Sequence, residues 1–141
     1  MDELRDFFET YRAALERADV EAVVAAYRTP LPVIRPDRVI VVETVQTLRV
    51  EILKILDFYR WSGMRRLAMA GFRADGFEPG MQLVSLSWRP TTAADEEIAA
   101  IDVTYVVRPV LDGARIAGVI AHNEERRRTP IIRETLEALR T

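Results

Sequence analysis

The sequence predicts an α+β domain: three helices in the first half of the chain, then a mostly antiparallel sheet. Three observations carry this reading. Leu4, Phe7, Phe8, Tyr11, Leu15 and Ala18 fall on one helical stripe, with the Tyr11 hydroxyl as the single polar group inside it. Val45, Leu48, Ile52, Ile55, Leu56 and Tyr59 recur at three- and four-residue steps. After Gly63 the helical spacing stops, and runs rich in Val, Ile, Tyr and Thr take its place. Helices gathered before strands point to helices on one face of an antiparallel sheet.

The elements follow in order. The first helix is predicted over residues 2–18 and the second over 20–27, with a break at Asp19. Thr29-Pro30-Leu31-Pro32 ends the helical region, because proline removes a backbone donor and clashes with the preceding turn. A short extended piece, Val33–Arg35, leads through a Pro36-Asp37 turn into a β-branched strand, Arg38–Val42. Thr44 is placed to cap the third helix, which stops near Ser62-Gly63. Four strands are then predicted: Arg65–Arg73, Met81–Arg89, Ile98–Arg108 and Ala114–His122. Gly76 and Gly80 mark the first turn and Asp112-Gly113 the last, while Pro90–Glu97 reads as a longer polar loop. Thr129-Pro130 is placed to start a short terminal helix carrying Ile132, Leu136 and Leu139, so that residues 126–141 form a tail or helix after the domain.

Composition narrows the function classes. A chain of 141 residues fits one domain, since domains commonly hold about 100–200 residues. Half the residues are apolar and 30% are charged, the balance of a soluble globular protein. The net charge of -2 argues against a nucleic-acid partner. No apolar run reaches the roughly 18 residues of a membrane span, and the acidic start resembles neither a signal nor a transit peptide, so a cytoplasmic location is expected. Without cysteine, thiolate chemistry and Fe–S clusters are out; with one histidine, a multi-histidine metal site is out. Lys54 is the sole lysine, which disfavours Schiff-base and P-loop chemistry. No cofactor or metal is expected.

The third predicted strand alternates cleanly. Ile101, Val103, Tyr105 and Val107 share one face, and Asp102, Thr104, Val106 and Arg108 the other. If the helices lie over the Asp102 face, the apolar face is left bare and a homodimer through the sheet is expected to cover it.

This order of elements resembles the nuclear transport factor 2-like superfamily, also called SnoaL-like or the cystatin-like α+β cone. The resemblance spans about residues 4–122. It is carried by the run from Tyr11 to Asp19, by Val20–Tyr27, by the helix Thr44–Tyr59 and by the strand pair from Ile101-Asp102 to Arg115-Ile116 and His122. It implies three helices packed on a curved antiparallel or mixed sheet, with a deep pocket between them. Its members include isomerases, dehydratases, cyclases and pure binding proteins, so the fold does not choose among them. The ketosteroid-isomerase branch carries a first-helix tyrosine, matched by Tyr11, and an aspartic acid after isoleucine in the penultimate strand, matched by Ile101-Asp102. There the pair donates hydrogen bonds to a developing enolate. That branch also places a carboxylate base before a proline in the first strand, and here Arg35 stands before Pro36. The base is missing, which argues against ketosteroid isomerase activity.

Each candidate has a functional and a structural reading. Tyr11 is a pocket donor or a core tyrosine satisfied by a neighbour. Asp102 is a carboxyl with a raised pKa in an apolar setting, or the partner of an arginine. Arg35 cannot act as a base; it binds an anionic ligand group, pairs with Asp102, or stands in solvent. His122 is the group with an ordinary pKa near neutrality and a candidate general base. Tyr27, Tyr59, Trp61, Trp88 and Met81 line an apolar pocket or fill the core. Gly118 marks crowding near a ligand, or a bulge. Arg126-Arg127-Arg128 reads as a solvated run. Two functions compete. One is a cofactor-independent isomerase, dehydratase or cyclase working by proton transfer: Tyr11 and Asp102 hold an oxyanion, His122 moves protons and Arg35 grips an acidic group on a small apolar or acidic ligand. The other is a non-catalytic ligand-binding or dimerisation module.

Overall fold

The computed structural model describes residues 2–76, 80–111 and 113–122. Helix α1 spans Asp2–Glu16, because Ala18 then turns into the left-handed region at φ 58. Asp19 restarts the chain as an N-cap, its carboxylate accepting from the Ala22 N–H at 3.2 Å, and α2 runs Val20–Ala25. Tyr27 forms a β-bridge to Ile116 rather than a further helical turn. Strands β1, Leu31–Ile34, and β2, Val39–Val42, form an antiparallel pair closed by the Arg35 N–H donating to the Arg38 carbonyl at 2.8 Å. Thr44 caps α3, Val45–Trp61, by accepting from the Thr47 N–H at 3.2 Å. Gly63, at φ 81, supplies the left-handed residue that stops the helix.

The second half is the expected meander: β3 Arg66–Gly76, β4 Gln82–Thr91, β5 Ile101–Val110 and β6 Gly113–Ala121. β4 runs two residues further than the sequence suggests, through Pro90. The third meander strand starts at Ile101, not Ile98. The two differences have one cause: Ile98 donates its N–H to the Pro90 carbonyl at 2.8 Å and tucks in fully buried as a connection instead of joining the ladder. The sheet order is β2-β1-β6-β5-β4-β3, all pairs antiparallel except β1 with β6. The expected terminal helix after Thr129-Pro130 lies outside the described residues.

The core forms between the three helices and one face of the sheet. Phe8, Val23, Val84 and Ile116 are wholly buried there. Arg12 ties α1 to β3 by donating to the Leu67 carbonyl at 3.1 Å, and Arg49 ties α3 to α2 through a two-pronged pair with Glu21. The covered face is the one bearing Val103, Tyr105 and Val107. This reverses the arrangement on which the expected dimer rested. The apolar face of β5 is buried by the chain's own helices, because burying it there gains the most apolar area. Asp102, Thr104, Val106 and Arg108 lie on the opposite, outer face.

Candidate functional site

The interior holds a buried aromatic cluster. Tyr11 projects from α1 and its hydroxyl meets the Tyr27 hydroxyl at 2.5 Å, either oxygen able to donate. From the sheet, Trp88 on β4 donates its indole N–H to the Tyr105 hydroxyl at 2.7 Å. The Tyr11 ring lies 5.8 Å from Tyr27, 5.9 Å from Trp88 and 6.1 Å from Tyr105, centroid to centroid. Tyr59, on α3, is buried in the same core. Burial raises the phenol pKa values of Tyr11, Tyr27 and Tyr105, because a phenolate cannot be solvated there. Tyr27 is pushed up to about 12, and Tyr11 and Tyr105 also lie well above the ordinary phenol value. These phenols are neutral hydrogen-bonding groups that hold one another.

The sequence-predicted site therefore divides. Tyr11, Tyr27, Tyr59 and Trp88 come together inside. Asp102 and His122 come together outside, on the other face of the sheet. The pairing of Tyr11 with Asp102 over one oxyanion does not form, because Asp102 has the opposite strand parity from Val103 and Tyr105. Arg35 follows β1 with its Nε buried and, among the described residues, without a hydrogen-bond partner. Trp61 ends α3 exposed, its ring 6.0 Å from Phe58. Met81 is half-buried just before β4.

On the outer face an open cleft of about 320 Å³ runs across β3, β4 and β5 to His122. A chain of hydrogen bonds crosses it: Ser85 Oγ to Thr104 Oγ1 at 2.9 Å, then Thr104 Oγ1 to His122 Nε2 at 2.8 Å. Asp102 and Ser87 lie directly opposite each other on β5 and β4. His122 is anchored by its backbone N–H donating to the Asp102 carbonyl at 3.1 Å. Gly71, at φ 63, sits in the bulge between Ala70 and Arg73 that breaks the β3 register and opens the cleft beside Ser85. The arrangement offers hydroxyl donors and acceptors, a carboxyl and an imidazole on one wall. Sequence reasoning passed over Ser85 and Ser87, and placed Thr104 on the Asp102 face without giving it a role. Ser85 and Ser87, two apart in Val84-Ser85-Leu86-Ser87-Trp88, share a face opposite the core residues, and that alternation was the available clue. It also passed over Tyr105, which alternation had placed on the apolar face. Among the described residues no three His, Asp or Glu gather as a metal ion would require, and no helix is long and apolar enough to cross a membrane.

A family model described as NTF2-like protein (DUF6841) matches residues 2–124. No curated relative matches the chain. Several solved structures share its fold. Aln2 from a Streptomyces species superposes with a TM-score of 0.69 at 11% identity, over 88% of this chain and 90% of that one. An NTF-2-like protein of unknown function from Shewanella oneidensis gives 0.68 at 13% identity, over 86% and 98%. A ketosteroid isomerase-like protein from Erwinia carotovora atroseptica gives 0.64 at 17% identity, over 92% and 96%. At these identities the likeness is one of fold.

Proposed function

Because the chain belongs to the NTF2-like protein (DUF6841) family, we propose that it is a non-catalytic small-ligand-binding module that works through the outer face of its sheet. One observation carries this. Between helices and sheet, where the superfamily's pocket is expected, Tyr11 bonds to Tyr27 and Trp88 to Tyr105, while the outer cleft presents Ser85, Thr104 and His122 as a connected polar wall. The fitting ligand is a small organic molecule with an apolar body and a few polar groups. Its donors go to Asp102 and its acceptors to the hydroxyls of Ser85 and Ser87 and to His122. A fragment screen by ligand-observed NMR, with amide shifts mapped on the labelled protein, tests it. Bound fragments should shift Gly71, Ser87, Thr104 and His122, and Thr104→Val should weaken them. Shifts confined to the surroundings of Tyr11 and Trp88 would reject the outer site.

A second reading has its own support. The Ser85–Thr104–His122 chain is a path along which a proton can move, so cofactor-independent isomerisation, dehydration or cyclisation can be placed in the same cleft with His122 as acid or base. A ketosteroid isomerase-like protein shares the fold. His122→Ala separates the readings. Loss of turnover with ligand binding retained favours the enzyme, and loss of binding with no turnover in the parent favours the module.

A further inference from the structure

We propose that a second groove on the outer face, across β1, β6 and β5, binds an amphiphilic carboxylate. Its hydrocarbon chain lies along the groove and its head group sits between Arg28 and Arg108. The groove measures about 500 Å³, is lined by Pro32, Ile34, Val106 and Ile120, and has Gly118 in its floor. Its volume is in the range of small-molecule sites. The floor depends on the glycine: a Cβ at Gly118 would stand 3.3 Å from the Val106 Cβ and 3.8 Å from the Pro32 Cγ. A side chain there would push out into the groove. Ile34 is 43% exposed, and the apolar strip continues onto β2 through Val41 and Val39.

Charge selects the occupant. Arg28 and Arg108 both line the groove, and no acidic residue does among those described. Arg28 is held beside β6 by its backbone N–H donating to the Ile116 carbonyl at 2.9 Å, and Arg108 on β5 lies opposite Arg115 on β6. Arg28 and Arg108, like Arg60, Arg65, Arg66 and Arg89, form no ion pair among the described residues, and they are the two that line this groove. A plain hydrocarbon would leave two cations unused, and a small polar anion would leave the apolar strip wet. An amphiphilic carboxylate satisfies both.

The test uses the full chain and laurate below its micelle concentration, followed by calorimetry and by amide and methyl NMR. Saturable binding is expected, with shifts at Gly118, Val119 and Ile120. Arg28→Gln with Arg108→Gln should weaken it by at least about tenfold, as loss of charge-assisted contacts implies. Dodecanol should bind more weakly by a similar factor. Ile34→Asn, at an exposed position, removes apolar lining without adding a charge beside the arginines and should weaken binding. Four results overturn the proposal: no binding of laurate, binding unchanged in the arginine double variant, shifts in the Ser85–His122 cleft instead, or a groove already occupied in the free protein. The last would show as contacts from residues 123–141 to Ile34 and Ile120, or as a dimer dissociated by Ile34→Asn. Failure at this groove leaves the reading of the Ser85–His122 cleft standing, since the two sites share no residue.

Discussion

At the residue scale, the Tyr11 hydroxyl shows how a feature visible in sequence can have its partner misassigned. It stands out as the single polar group in an apolar stripe. The sequence pairs it with Asp102, but parity along β5 puts Asp102 on the far face, since a shift of one residue moves a strand side chain to the other side of the sheet. The partner is Tyr27, reached through the bridge to Ile116, a contact between distant segments that no local pattern encodes. Tyr11→Phe should remove the partner of the half-buried Tyr27 hydroxyl and cost about 0.5–1.5 kcal/mol. Removing both hydroxyls should cost less than the sum of the single changes, because the double variant leaves no orphan. Urea unfolding of the two single variants and the double variant measures this coupling, and strict additivity would mean the hydroxyls do not depend on each other.

At the element scale, stripes, caps and the two faces of each strand were legible, and which face is inside was not. Thr44 caps α3 as its position before the stripe predicts. Thr44→Ala should destabilise by about 1 kcal/mol and Thr44→Gly by only a few tenths, read from thermal unfolding. Ends were less legible where a tertiary bond decides them. Proline at position 90 looks like the start of a loop, yet β4 runs through it because Ile98 supplies the donor that its carbonyl needs. Which side of β5 the helices cover was also open, since alternation marks two faces without saying which is inside. The bulge in β3 belongs to this scale too. Gly71 sits at φ 63 with open space where a Cβ would go, so Gly71→Ala should cost about 1–2 kcal/mol from backbone strain alone. If the bulge shapes the cleft, that variant should also move the amide signals of Ser85 and Thr104 while leaving those around Phe8 in place.

At the scale of the whole molecule, the buried phenols join the two layers. Tyr11 comes from α1, Tyr27 from the segment after α2, and Tyr105 from β5, so the cluster spans helices and sheet. Each has a pKa in the folded state above that of the unfolded chain, near 10.0, with Tyr27 at about 12. The sign follows from linkage. The unfolded chain releases these protons at lower pH than the folded one, so their contribution is fully present below about pH 10 and is lost as pH rises through the folded values. The urea midpoint should therefore stay level from about pH 7 to 9 with respect to these groups and fall steeply above about pH 10. Phenolate absorbance should report the same event, with Tyr11, Tyr27 and Tyr105 ionising together with unfolding. The Tyr11→Phe, Tyr27→Phe double variant carries two fewer such groups, so its midpoint should decline less steeply over the same interval. Ionisation of Tyr11, Tyr27 and Tyr105 near about pH 10 in a protein that keeps its native circular dichroism would show that the cluster admits solvent, and would return the interior to consideration as a ligand site.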